Sequence, residues 1–434
     1  MMRGTGDANM WSRRQFLNRA GAGTAAVAAI NGPGLERLLA ASDEAAERNP
    51  IEVAMDEAYW RNVQDAFTLD RTMINLNNGG CSPAPRVVHE AFKRYLDHSN
   101  QAPSYYMWRE VEPGIENARR GLALDTGADP ETIALTRNAS ESLQIAQLGL
   151  DLKAGDEVLT TNQDYGRMLQ TYDQRVLRDG IKLTKISFKV PATSAELVKA
   201  FEQAITPNTK LIHFSHITNL TGQIFPAKEI CAMARAKGIT TIVDGAHAYS
   251  HFPFKLTDFD CDFYGTSLHK WLLAPIGAGF LYVRKDRIEK HWALQPAGAT
   301  QAKDIRKFEE IGTHPAANHN AVSEALVFTR TIGMDRKAAR LRYLRNRWAE
   351  RLMKNPRIVL HTPLDPTLSC AIGTVQIKGI PTGDVGAKIW EKQRILATPI
   401  VHPEFEGLRV TPNIYTTLDE IDIFADTMEK LAKS

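Results

Sequence analysis

The sequence predicts an α/β protein, a mostly parallel sheet with helices on both faces, followed by a smaller α+β domain. Two observations carry that expectation. Between residues 84 and 244, stretches with apolar residues at helical period alternate with short β-branched runs, which is the pattern of repeated αβ units. Beyond "GAGFLYVRKD" this alternation stops, and a long helical run over 318–354 leads into short mixed elements. A chain of 434 residues is long enough for two or three domains. The expected division is 1–42, 43–315 and 316–434.

The elements follow in chain order. Ser12-Arg13-Arg14-Gln15-Phe16-Leu17 has the order of a twin-arginine export signal, residues 20–30 supply a short apolar segment, and Ala40-Ala41-Ser42 offers small residues for cleavage. Residues 1–42 are therefore expected to lie outside the fold, and the protein to be periplasmic or secreted through the twin-arginine machinery. Helical periodicity then places helices at 84–98, 110–125 and 139–150, before the β-rich "DEVLTT" at 156–161. A helix at 166–178, the strand "KLTKISF", a helix at 194–205, the strand "KLIHFS", a helix at 226–237 and the strand "GITTIVD" continue the alternation. In such a sheet, binding residues gather at strand ends. The 318–354 run carries its arginines on what reads as an outer face. It is followed by a strand at 372–378, a helix at 383–393, the short strand "LRVTP" and a helix from 418.

Composition excludes several classes. With 53 basic and 50 acidic side chains and no basic run interleaved with aromatics, nucleic acid is not an expected partner. No apolar stretch reaches the ~18–20 residues of a membrane span, so no membrane insertion is expected. Cys81, Cys231, Cys261 and Cys370 lack ligand-like spacing and read as free buried thiols. "HEAFK" lacks the second histidine of a zinc-protease helix, and His247 and His251 in "HAYSH" have no carboxylate at ligand spacing, so no metal is expected.

The chemistry gathers around "DFYGTSLHKWLLAPIGAGFLYV". Lys270 is the only charge between Asp262 and Arg284, and desolvation of a lysine disfavours its ammonium form and leaves a nucleophilic amine. One reading takes Ser267-Leu268-His269-Lys270 as the S-x-x-K of penicillin-recognising serine enzymes, but the partner motifs of that family are missing. The other takes Lys270 as the lysine that bonds to pyridoxal phosphate, whose ring nitrogen needs a carboxylate on a neighbouring strand end. Asp244, closing "TTIVD", is in position for that, although an aspartate there also suits a helix cap.

These segments, with "FSHITNLTGQIFP" and "LTRNASESLQI", resemble the class V aminotransferases among fold-type I pyridoxal phosphate enzymes, in particular the isopenicillin N epimerase-like branch; cysteine desulfurases belong to the same family. The resemblance spans roughly residues 70–430. It implies that Lys270 bonds the cofactor, Asp244 holds its ring nitrogen protonated, and Asn219 bonds its phenolic oxygen. His247, where many relatives have glutamine, would reach the same oxygen. Ala139 and Ser140 would present backbone amides to the phosphate at a helix N-terminus, joined by Ser267 and His269. Tyr165 takes the place of a ring-stacking histidine. Arg409 matches the position that grips a substrate carboxylate through a bidentate fork. Gly312-Thr313 matches a pair that reaches the neighbouring subunit's phosphate, which implies a homodimer.

One departure shapes the expected reaction. The loop "TPIVHPEFEG" before Arg409 has no cysteine where desulfurases carry their nucleophile, and Cys370 reads as a core thiol; His402 is left as a residue that either meets substrate or faces solvent. The leading expectation is transamination or epimerisation at the amino-bearing carbon of an amino acid or peptide-like metabolite. A carbon–sulfur lyase and a catalytically silent binding protein on the same fold are the alternatives. "NNGGCS" at 77–82 and the aromatic "PSYYMWRE" at 103–110 read as pocket-lining stretches without naming a substrate.

Overall fold

The computed structural model describes residues 35–433, so the twin-arginine stretch and the apolar segment at 20–30 lie outside the described residues. A seven-stranded sheet is central. Its strands are β1 (Ile133–Thr136), β2 (Glu157–Thr161), β3 (Lys182–Ile186), β4 (Thr209–Ser215), β5 (Thr240–Asp244), β6 (Phe263–Ser267) and β7 (Gly279–Val283), arranged β1-β7-β6-β5-β4-β2-β3. Neighbours from β6 across to β3 pair in parallel, while β7 runs antiparallel between β1 and β6. The sheet is covered on both faces. Leu159, Ile212, Val243 and Tyr264 enter one core cluster, and their strand neighbours Val158, Leu211, Ile242 and Phe263 enter another. That two-sided burial explains why these strands read as apolar runs without alternation.

A second sheet, antiparallel throughout, orders Thr398–His402, Phe405–Val410, Gly373–Ile377 and Ile358–Leu360. Trp348, Val375, Leu408, Ile389 and Phe424 join it to the helices Met334–Leu352, Thr382–Gln393 and Leu418–Lys433 in a third core cluster. The 318–354 run is several helices rather than one. Gly333, at φ 87°, separates Val322–Ile332 from Met334–Leu352, a backbone turn that only glycine makes without strain.

Three sequence expectations need correction. The arginines of Met334–Leu352 do not all face outward, because Arg336, Arg340 and Arg345 are buried. Each finds oxygen acceptors that the sequence does not reveal: Arg336 donates to the Ala45 carbonyl at 2.7 Å, Arg340 to Ala54 at 2.9 Å, and Arg345 to Ser369 Oγ at 2.7 Å. Residues up to 42 are not wholly outside the fold either. Residues 35–44 are helical, Leu38 is fully buried, and Ser42 Oγ lies 3.2 Å from the Tyr59 hydroxyl. Cys81, finally, is exposed, whereas Cys231, Cys261 and Cys370 are buried free thiols.

Candidate active site

Strands β1 to β6 all run one way, and the segments that leave their C-terminal ends carry the candidate residues. Asn138 caps the helix Ala139–Leu148 after β1 by accepting the Glu141 N–H at 3.0 Å. The Ala139 N–H donates to Ser267 Oγ at 2.9 Å, which ties this helix start to the end of β6. Ser140 is half-buried beside it, in the first turn, where unpaired amides and the helix dipole favour an anion.

Asp244 ends β5 and is buried. Its Oδ1 accepts the Ala246 N–H at 2.9 Å, and among the described residues its Oδ2 makes no hydrogen bond. Burial raises its pKa, against the pull of the Ala246 amide and the Lys270 charge. Gly245 follows because nothing larger fits: a Cβ there would stand 2.0 Å from the Tyr264 ring. The chain then turns at once and brings His247 back over the sheet edge.

Lys270 Nζ lies 3.0 Å from His247 Nε2. Burial pushes the lysine below its ordinary range, opposed by Asp244 and reinforced by the Arg409 charge. His247 is held well below the ordinary imidazole range, first by burial and then by the charge of Lys270, so it is a neutral ring. Its Nδ1 is buried and has no hydrogen-bond partner among the described residues. His269 is likewise lowered, to about 4, by burial, and its Nδ1 is also unpartnered.

Arg409, on Phe405–Val410, comes from the other sheet. Its guanidinium donates to the Asn219 carbonyl at 3.2 Å, to Asn77 Oδ1 at 2.9 Å and to Thr398 Oγ1 at 3.3 Å, while its Nε is buried and free. Thr398 donates to the same Asn77 oxygen at 2.7 Å. Asn77 was not among the residues singled out from sequence; only its place in "NNGGCS" hinted at it. Tyr165 is the residue before the helix Gly166–Asp179 and is 42% exposed.

Lys270, Asp244, His247, Asn219 and Arg409 are thus linked by hydrogen bonds or near charges, and the Ala139–Ser267 pair lies at the ends of β1 and β6, with Ser267 three residues before Lys270 in sequence. Thr313 is not linked to them: it is exposed beside Gly312, and no hydrogen bond joins it to the cluster. His402 neither lies open nor faces the cluster. Its Nε2 bonds the Asn162 carbonyl at 3.2 Å and its ring packs on Phe405. His251 is committed at both nitrogens, to the His247 carbonyl at 2.7 Å and the Ala371 N–H at 2.9 Å. Tyr105 and Trp108, in the aromatic stretch at 103–110, are half-exposed.

The aminotransferase class-V family model matches residues 74–398. The chain belongs to the class V aminotransferases. It is 34% identical over 395 residues to isopenicillin N epimerase of Streptomyces clavuligerus, covering 87% of this chain and 99% of the relative, and 30% identical to that of Amycolatopsis lactamdurans, over 86% and 99%. Among solved structures, a cysteine desulfurase from Thermococcus onnurineus NA1 superposes with a TM-score of 0.75 at 22% identity, over 86% of this chain and 98% of that one; that likeness concerns the fold.

The cofactor that comes with the family is pyridoxal phosphate, and the residues present fit it. A buried acid with a free oxygen suits a protonated ring nitrogen. A lysine held below its ordinary range suits a carbonyl carbon, and the Ala139–Ser267 helix start suits a phosphate. Unpartnered buried atoms on His247, His269 and Arg409 are the donors such a group and its substrate would satisfy.

Proposed function

We propose that this class V aminotransferase acts at the amino-bearing carbon of an amino acid or peptide-like metabolite, by epimerisation or transamination. The observation that carries the reading is the pairing of the Lys270 amine with neutral His247 at 3.0 Å, in reach of the Arg409 charge. Likeness to two isopenicillin N epimerases over nearly their whole length supports epimerisation as the first activity to test.

Bound pyridoxal phosphate supplies an electron-withdrawing ring that accepts the electron pair left at Cα when a proton departs. The chain's residues do the rest. Arg409, held by Asn77, Thr398 and the Asn219 carbonyl, would grip the substrate carboxylate and so fix the direction in which Cα–H points. Lys270, neutral more readily than an ordinary lysine, takes the Cα proton. His247 Nε2 stands where it can exchange a proton with Nζ. Asp244 would hold the ring nitrogen, Tyr165 would lie against the ring, and Ser140, Ser267 and His269 would hold the phosphate; in a homodimer the exposed Thr313 would reach that of the second subunit. The enzyme is exported through the twin-arginine machinery to the periplasm or beyond; "SRRQFL" supports this.

Incubating candidate amino substrates with the enzyme in heavy water tests the reaction. Deuterium at Cα, with an epimer or keto product and no persulfide on the enzyme, is expected. Turnover that retains the Cα hydrogen, or sulfur carried on the protein, defeats the reading.

A further inference from the structure

Lys337, on the helix Met334–Leu352, is fully buried, and among the described residues no carboxylate bonds to it. Burying an unpaired ammonium is expensive, so a lysine kept in such a place must be lightly charged and well supplied with acceptors. Its amine donates to Ser250 Oγ at 3.2 Å and to the backbone carbonyl of Trp271. Those acceptors lie on the two segments that carry the reacting pair. Trp271 follows Lys270, and Ser250 closes the turn that leaves Asp244 and carries His247.

The same two segments meet twice more. Lys270 Nζ reaches His247 Nε2, and the Trp271 indole stacks on the His251 ring with centroids 3.8 Å apart and planes 5° from parallel. His251 in turn bonds the His247 carbonyl. Lys337 therefore closes a ring of contacts through 247–251 and 270–271. Both segments also carry left-handed backbone at non-glycine residues, Ser250 at φ 60° and Leu273 at φ 67°. Such conformations persist only where the surroundings hold them.

We propose that Lys337 is a positioning residue, which clamps the 247–250 turn to the loop after Lys270 and so keeps the Lys270 amine paired with His247 and away from bulk water. It rests on the reading of Lys270 as the reacting amine. Burial lowers the Lys337 amine to about 7, with the Cys370 thiol and the His251 ring as its titratable neighbours. It can thus donate at neutral pH without a full buried charge. Its helix continues into the third core cluster through Leu344 and Trp348, so the clamp also ties the second sheet to the reacting lysine.

Two variants test it on the full chain. Lys337→Met keeps the stem and removes the donor; Ser250→Gly removes the acceptor and relieves the left-handed backbone. Before cofactor is added, amine acetylation across a pH series, read peptide by peptide by mass spectrometry, gives the titration midpoint of Lys270, with exposed Lys388 as reference. In both variants the Lys270 midpoint should rise by about half a pH unit or more as water reaches the amine. With cofactor, kcat should fall about tenfold while KM stays within about twofold. Folded variants whose Lys270 midpoints match the unaltered chain overturn the proposal. So does an unchanged midpoint in Ser250→Gly if Lys337→Met fails to fold. Borohydride reduction that fixes the cofactor to a different lysine would instead refute the reading of Lys270, leaving the midpoint shift to decide the clamp alone.

Discussion

At the scale of single residues, Lys270 is set apart by what surrounds it rather than by its type. Burial and the Arg409 charge lower its pKa, so more of the amine is uncharged and free to accept a proton near neutral pH, and Asp244 opposes that shift. Lys270→Ala should therefore yield a folded protein without the yellow, borohydride-reducible lysine adduct, as visible absorbance and peptide mapping would show. Asn77 offers a second test. One amide oxygen receives both Arg409 and Thr398, so removing it leaves a buried guanidinium N–H and a hydroxyl without that acceptor. Asn77→Ala should misorient the carboxylate clamp and raise KM about tenfold, equivalent to ~1.4 kcal/mol, with kcat changed much less. Steady-state kinetics on the substrate found by the heavy-water screen checks it. An effect on kcat alone would mean that Asn77 does not serve the clamp.

At the scale of elements, the Asp244–Gly245 turn shows how closely the site is packed against the sheet. A Cβ at Gly245 would overlap the buried Tyr264 ring, and Gly265 O already accepts the Gly245 N–H at 2.8 Å, so neither ring nor strand can yield freely. Gly245→Ala should cost about 1–3 kcal/mol, read as a lowered midpoint in urea unfolding, and should loosen cofactor binding by moving Asp244. This turn was legible from the sequence, as were the parallel strands from 156 to 244, because β-branched runs and helical periods alternate there. Strand β1 was not assigned: "IALT" is four fully buried residues with no alternation to announce it. Lys270 and Asp244 stood out from the residues themselves, one as a lone charge in an apolar stretch and one at a strand end, whereas the other candidates rested on the family resemblance. The acceptors that hold Arg409 were not legible, since Asn77 and Thr398 meet only when residues 321 positions apart in sequence share one hydrogen bond. The buried arginines of Met334–Leu352 escaped for the same reason, as backbone carbonyls leave no mark on a sequence.

At the scale of the whole molecule, the N-terminal helix at 35–44 joins the export question to stability. Leu38 lies in the largest core cluster, and Arg336 donates from Met334–Leu352 to the carbonyls of Ser42, at 3.4 Å, and Ala45, at 2.7 Å. Cleavage after residue 42 would remove a buried leucine and an acceptor of a buried guanidinium from the finished protein. Exposing the core under Leu38 costs about 1.5–3 kcal/mol, and leaving Arg336 short of an acceptor about 1–3 kcal/mol more. Under the proposed export, a cut there would only destabilise the mature protein, so processing should fall before Leu35 and the mature chain should keep this helix. Intact-mass measurement of protein recovered from the periplasm locates the cut. Chains begun at residues 35 and 49 give the energetic check: the first should match the full-length protein in urea unfolding, and the second should lose several kcal/mol. Replacing Arg13 and Arg14 with lysine should hold the precursor in the cytoplasm with cofactor binding intact, because the residues that bind it lie beyond 138. Periplasmic protein that begins at residue 43 and is as stable as the chain begun at 35 would show that the helix is dispensable and that Arg336 finds its acceptors elsewhere.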